Sequence, residues 1–203
     1  MMLNCEEALN LLNSCKNMAK NDDWILHSLC VGNNAGKIAK ALNLDEDYAK
    51  VLGYIHDIGK RFGWNSHEGV IPHAINGYNY LKSLGYNDEY AGICIKHSFL
   101  NSDINCLAND RDYTNSNDEN YTFIKEYIKK NYTIYEKIIN LCDLMCTTKL
   151  QILEKRMIDL LLRHGVYKNT YYHLIETFKL KKYFDDLLEY NLYDLFPEIK
   201  ENL

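Results

Sequence analysis

His56 and Asp57 stand side by side in the segment His56-Asp57-Ile58-Gly59-Lys60, and His27, His73, His97 and Asp143 are spread through the chain around them. A neutral imidazole and a carboxylate are hard-to-borderline donors, suited to Fe, Mn, Ni, Zn or Mg. A single His-Asp pair says little. A helix dipole favours a His at the C-terminal end, and an adjacent Asp can simply be solvated. The other members are equally ambiguous alone. His27 sits among apolar residues, as a core histidine would. His73 follows Pro72 at a predicted helix start, and His97 precedes Ser98 at a predicted helix end. Asp143 is harder to explain otherwise, because Ile138, Ile139, Leu141, Cys142, Leu144 and Met145 surround it. A carboxylate in so apolar a helix is costly to bury unless it is paired or bound to metal. Together the six residues are candidate ligands for one or two divalent ions.

Apolar residues recur mostly at three- and four-residue spacing, which predicts an all-α fold. A first helix is expected over about Cys5 to Lys20, and a second from the Asn21-Asp22-Asp23 cap to about Leu42, with His27 in its second turn. Asp45 caps a third helix, which delivers His56 and Asp57 at its C-terminal end. Ile58 to Val70 reads as a loop. A fourth helix runs from about Ile71 to Leu84 and stops at Gly85, and a fifth starts near Asp88 and carries His97 toward its end. The polar, aperiodic stretch Asn101 to Asn120 reads as a mobile loop. Helical periodicity returns over Tyr121 to Lys130, and a strong helix over about Thr133 to Thr148 holds Asp143. Two or three further helices follow Lys149.

The chain has 203 residues, enough to bury one core without staples, and its 47% apolar and 25% charged content is ordinary. A net charge of −5 argues against a nucleic-acid backbone as the main partner. No run of eighteen apolar residues occurs, so no membrane partner is expected. Glu6 and Glu7 stand where a signal peptide would carry positive charge, which points to a cytoplasmic location. The seven Cys lack any Cys-x-x-Cys pair and are expected to be reduced thiols in apolar surroundings. Gly32-Asn33-Asn34-Ala35-Gly36-Lys37 hints at a phosphate loop. It has one residue too few between the glycines, lacks Ser or Thr after Lys37, and falls inside a predicted helix.

The ordered series resembles the HD-domain superfamily of metal-dependent phosphohydrolases, whose minimal signature is His … His-Asp … Asp. Here those residues are His27, His56-Asp57 and Asp143. The segment from His56 to Lys60 reads "HDIGK", Pro72-His73-Ala74-Ile75-Asn76-Gly77 is similar to the "HxxxG" element, and Ile95-Lys96-His97 resembles the later histidine. Ile139-Asn140-Leu141-Cys142-Asp143 resembles the closing helix, with Cys142 in place of the usual Ala. The resemblance implies one all-helical domain over residues 1–203, an HD-like bundle over about 22–149 with a C-terminal helical extension over about 150–203. It implies a first metal on His27, His56, Asp57 and Asp143, and a second on His73 and His97, bridged by Asp57. The chain departs from the cyclic-dinucleotide phosphodiesterase branch in lacking Gly-Tyr-Pro and a double histidine before Ser98. Its extra histidines are closer to small HD hydrolases of dinucleoside polyphosphates, although their fuller signature is missing.

The implied activity is hydrolysis of a phosphoester or phosphoanhydride in a nucleotide or similar small phosphorylated substrate by a metal-activated water. Asp57 and Lys60 are the expected catalytic residues, with Lys60 neutralising charge on the phosphate or leaving group. Arg61, Lys96 and Arg111 are weaker candidates for more distant phosphates. His67 is a weak candidate proton donor, and His164 and His173 fall outside the pattern. Two rival readings use the same ligands: an HD-type di-iron oxygenase and a non-catalytic nucleotide- or metal-binding module. Metal identity, the number of ions and the oligomeric state stay open.

Overall fold

A computed structural model describes residues 2–63, 70–106 and 119–202. The fold is all-α; among the described residues the only β feature is an isolated bridge between Cys146 and Leu150. The helices are α1 (Cys5–Asn13), α2 (Asp23–Ala41), α3 (Glu46–Ile55), α4 (Ile71–Ser83), α5 (Asp88–Ala91), α6 (Ile93–Lys96), α7 (Glu119–Tyr127), α8 (Ile134–Met145), α9 (Leu153–His164) and α10 (Thr170–Leu188). A 3-10 turn, Ile58–Phe62, leads away from the end of α3. Among the described residues no helix is long and apolar enough to cross a membrane.

Local chemistry sets most of these boundaries. The Asp45 side chain accepts the Tyr48 N–H and starts α3. Thr133 and Glu136 form a reciprocal capping box at the start of α8. Gly85, at φ +87°, ends the run of α4. Two expected helices depart furthest from their patterns. The first ends at Asn13 rather than near Lys20, because Asn17 turns left-handed (φ 62°) and gives its N–H to the Asp22 carboxylate at 3.0 Å. The fifth is broken at Gly92 into α5 and α6, where the Tyr48 hydroxyl claims the Glu89 carbonyl at 3.2 Å. The loop expected over Asn101 to Asn120 is tethered at its start. Asn101 donates to Glu176 at 2.7 Å, the Tyr172 hydroxyl donates to Asp103, and Cys106 is buried; residues 107–118 lie outside the described residues.

α2 and α3 pack along their lengths, and α8 lies against both. The glycines of the false phosphate loop explain the close approach. A methyl group on Gly53 would lie 2.4 Å from the Cα of Gly32, so both positions exclude side chains where the helices cross. A continuous apolar cluster runs from Leu3 through α2, α3 and α8 to Ile199 and includes Leu180 and Phe184 of α10. A second, smaller cluster joins Ile71 and Ala74 of α4, Ile95 of α6 and Tyr121 and Ile124 of α7.

His173 of α10 is buried, and burial alone pushes its pKa down to about 4. An unfolded His titrates near 6.5, so between pH 6.5 and 4 the unfolded chain takes up a proton that the folded chain refuses. Stability is therefore lost as pH falls through that window. The expected cost is about 2 kcal/mol between pH 7 and pH 5. Denaturant melts of metal-free protein at both pH values should show a smaller acid loss for His173→Leu than for the native chain. Equal losses would assign the acid sensitivity elsewhere.

Candidate metal centre

Five elements converge on Asp57. His56 is the C-cap of α3, and its Nδ1 lies 2.7 Å from the Gly53 carbonyl. Asp57 follows at the entry to the 3-10 turn. His73 stands in the first turn of α4, and His97 caps α6 with Nδ1 3.0 Å from the Cys94 carbonyl. His27 comes from α2, its Nδ1 3.3 Å from the Thr147 carbonyl just beyond α8. Asp143 projects from the last turn of α8.

The two oxygens of Asp57 face two separate pairs of imidazoles. Oδ2 lies 3.4 Å from Nε2 of His56 and 3.6 Å from Nε2 of His27, and Oδ1 lies 3.4 Å from Nε2 of both His73 and His97. These ligating atoms form two compact groups that could each hold a metal ion, His27-His56-Asp57 and Asp57-His73-His97. Asp143 Oδ1 reaches the first group, 3.0 Å from His27 Nε2 and 3.8 Å from His56 Nε2. All six expected ligands are therefore brought together.

The hydrogen bonds fit a cation. A carbonyl oxygen can only accept, so the Nδ1 atoms of His27, His56 and His97 must carry the proton, which leaves each neutral ring a bare lone pair at Nε2. The lone pairs of His27 and His56 meet, their Nε2 atoms 3.3 Å apart, and His97 Nε2 lies 3.4 Å from Nε2 of His73. Asp57 Oδ1 is buried with no hydrogen-bond donor among the described residues. Converging acceptors without donors are unfavourable unless positive charge lies between them.

Electrostatics in the metal-free chain divide the histidines. Burial pushes His73 down to about 3 and His97 to about 4, which keeps both neutral and ready to ligate. Burial opposes charge on His56 too, yet Asp57 and Asp143 carry it above its ordinary value. For Asp57, burial would raise the carboxyl, but Lys60 and His56 hold it well below the usual range. Asp143 is lowered against the same burial penalty, chiefly by His27.

The cations divide differently from expectation. Lys60 forms an ion pair with Asp57 Oδ2, at the heart of the cluster. Arg61 stacks on Tyr80, 4.1 Å from the ring centroid. Lys96 is no phosphate contact: it is buried against Glu136 at 2.8 Å and under the Tyr132 ring. His67, Arg111 and the side chain of His164 lie outside the described residues.

Two supporting residues escaped the sequence reading. Asn140 of α8 donates to the Lys96 carbonyl at 3.0 Å and to the His97 carbonyl, tying α6 to α8. Its signal was present: like Asp143, three residues on, it is a polar residue in an apolar helix. Arg156 of α9 is mostly buried, pairs with Asp159 at 2.8 Å, and lies close enough to Asp143 for that carboxylate to act on its charge. Nothing local marked it.

A helical bundle closing on paired His and Asp side chains is the build of a metal centre. The family model described as "HD domain" matches residues 24–147, and the chain belongs to the HD-domain superfamily. Among curated proteins the chain is 33% identical over 131 residues to Ribonuclease Y of Protochlamydia amoebophila (strain UWE25). That alignment covers 61% of this chain and 24% of the relative, so the chain matches about a quarter of that protein's length. No solved structure matches.

Proposed function

We propose that the chain is a dinuclear metal-dependent phosphohydrolase acting on a phosphoester or phosphoanhydride bond of a nucleotide or similar small phosphorylated molecule. The observation that carries this reading is the central carboxylate, with one oxygen toward His27 and His56 and the other toward His73 and His97. Fe, Mn, Ni, Zn and Mg all suit such a donor set. When bound, divalent ions supply a water of lowered pKa and a Lewis acid for a phosphoryl oxygen.

The chain's own residues provide the rest. Asp57 bridges the two halves of the site and holds both histidine pairs in register. Asp143 completes the first half beside His27. Lys60 places an ammonium against Asp57 Oδ2, where it can neutralise charge growing on a phosphoryl or leaving oxygen. Arg156, paired with Asp159 and within the field of Asp143, is the candidate second cation for a more distant phosphate. These cations favour an anionic substrate over the organic substrate of a di-iron oxygenase. The relative's name is that of a ribonuclease, which is consistent with a phosphodiester. The net charge of −5 favours a short nucleotide over a long polymer.

The first measurement is elemental analysis of protein purified gently and anaerobically, followed by a screen of mono-, di- and oligonucleotides with the metal found. About two equivalents per chain and phosphate release are expected. One equivalent would confine the centre to His27, His56, Asp57 and Asp143. No metal after reconstitution would sink the hydrolase reading, and metal-dependent oxygen uptake would favour the oxygenase. Lys60→Ala should retain both ions and lose about 10- to 100-fold in turnover, since it removes charge stabilisation rather than a ligand. Loss of metal in that variant would show that its role has been misassigned.

A further inference from the structure

Cys30 of α2 and Cys146, the residue that ends α8, meet at the contact between the two helices with their Sγ atoms 2.9 Å apart. Both are free thiols. We propose that Cys30 and Cys146 are a disulfide site, oxidised reversibly by a hydroperoxide, that pins α2 to α8 beside the metal centre.

Three features single out this pair. The first is geometry. A disulfide requires about 2.05 Å between sulfurs, so the pair closes by less than 1 Å of relative movement. The second is access. Cys146 is buried, but Cys30 is only partly so and can meet an oxidant. The third is the surrounding chemistry. The buried Asn34 amide lies 3.4 Å from Cys30 Sγ and 3.8 Å from Cys146 Sγ, and its nitrogen also donates to the Cys30 carbonyl at 2.8 Å, which holds the amide in place. Contact with Cys146, against the penalty of burial, draws the Cys30 thiol below its ordinary pKa. The other six thiols are all pushed upward, burial being the largest cause for each. Thiolate character and exposure decide which cysteine reacts first.

The steps balance with one peroxide. The Cys30 thiolate attacks a peroxide oxygen, the O–O bond breaks, and Cys30 becomes a sulfenic acid as hydroxide leaves. Cys146 then attacks the Cys30 sulfur, the S–O bond breaks, and its proton leaves with the departing oxygen as water. Two thiols lose two electrons in total, and the peroxide is reduced to two waters.

The location gives the bond a consequence. His27 lies one turn before Cys30 on α2, Asp143 one turn before Cys146 on α8, and the Thr147 carbonyl that orients His27 follows Cys146 directly. The cross-link therefore joins the two elements that bring His27 and Asp143 within 3.0 Å.

The test is non-reducing peptide mapping of the full chain after treatment with hydrogen peroxide. A Cys30–Cys146 peptide should dominate and should disappear on addition of dithiothreitol. Unfolding should shift upward by roughly 10 °C in the oxidised chain, because the bond closes a long loop in the unfolded state. In Cys146→Ser, dimedone should trap a Cys30 sulfenic acid that the native chain resolves. The proposal is overturned if Cys30 accumulates as sulfenic or sulfinic acid with Cys146 present, if Cys146 pairs with Cys142, or if both thiols survive peroxide that oxidises other cysteines. The native-chain map needs no variant to fold.

Discussion

Asp57→Asn should strip both metal ions from the protein, lowering metal content from about two equivalents to well under one, and should cut phosphate release at least ~1,000-fold, or about 4 kcal/mol of transition-state stabilisation. The size follows from the position of this side chain. Each Asp57 oxygen belongs to one of the two ligand groups, so a single substitution removes a charged donor from both. The amide keeps the shape of the carboxylate but not its charge, and its nitrogen cannot ligate. The helices should persist, because the side chain touches ligating and charged groups rather than the apolar clusters. Elemental analysis, circular dichroism and turnover on one preparation separate the effects. His97→Gln provides the contrast: it should lose one ion and keep the other, because His97 faces Asp57 Oδ1 alone. Full activity of Asp57→Asn, or two retained ions, would end the bridging assignment.

The parts of this molecule that could be read from sequence are those with a local signature. Asp45, Thr133 and Gly85 announce helix ends through the backbone groups they satisfy or the angle they adopt, and those boundaries agree to within a residue or two. The six residues proposed as ligands stood out only as an ordered series, since nearly every one alone had an ordinary explanation. Long-range partnerships had no such signature. Lys96 looked like a cation near the site, yet it is consumed by Glu136, forty residues away. Gly92 interrupts a helix because Tyr48 takes a carbonyl from across the fold. Arg156 meets the field of Asp143 only once α9 has packed against α8. The contact of Cys30 with Cys146 spans 116 residues, so its chemistry could not be distinguished from ordinary core thiols.

Gly59→Ala should cost about 3 kcal/mol or more and lower the melting temperature by roughly 6–12 °C. The glycine of the His56–Lys60 segment is set by packing rather than by an unusual backbone angle. A methyl group there would sit 1.9 Å from the His73 carbonyl oxygen and 2.5 Å from the Gly77 nitrogen. Both are backbone atoms of α4, so no side-chain rotation can relieve the clash; α4 must move off the 3-10 turn. His73 moves with it and leaves the 3.4 Å position beside Asp57 Oδ1. The ion held by His73 and His97 should therefore be lost before the one held by His27, His56 and Asp143, leaving about one equivalent per chain. Gly85→Ala separates this cause from ordinary glycine strain. At φ +87° with nothing within 4 Å of a new methyl, it should cost only about 1 kcal/mol and keep both ions. Thermal melts and metal analysis of the two variants side by side decide the matter. A Gly59→Ala protein with the native melting point and both ions would show that the turn and α4 are not in the contact that delivers His73.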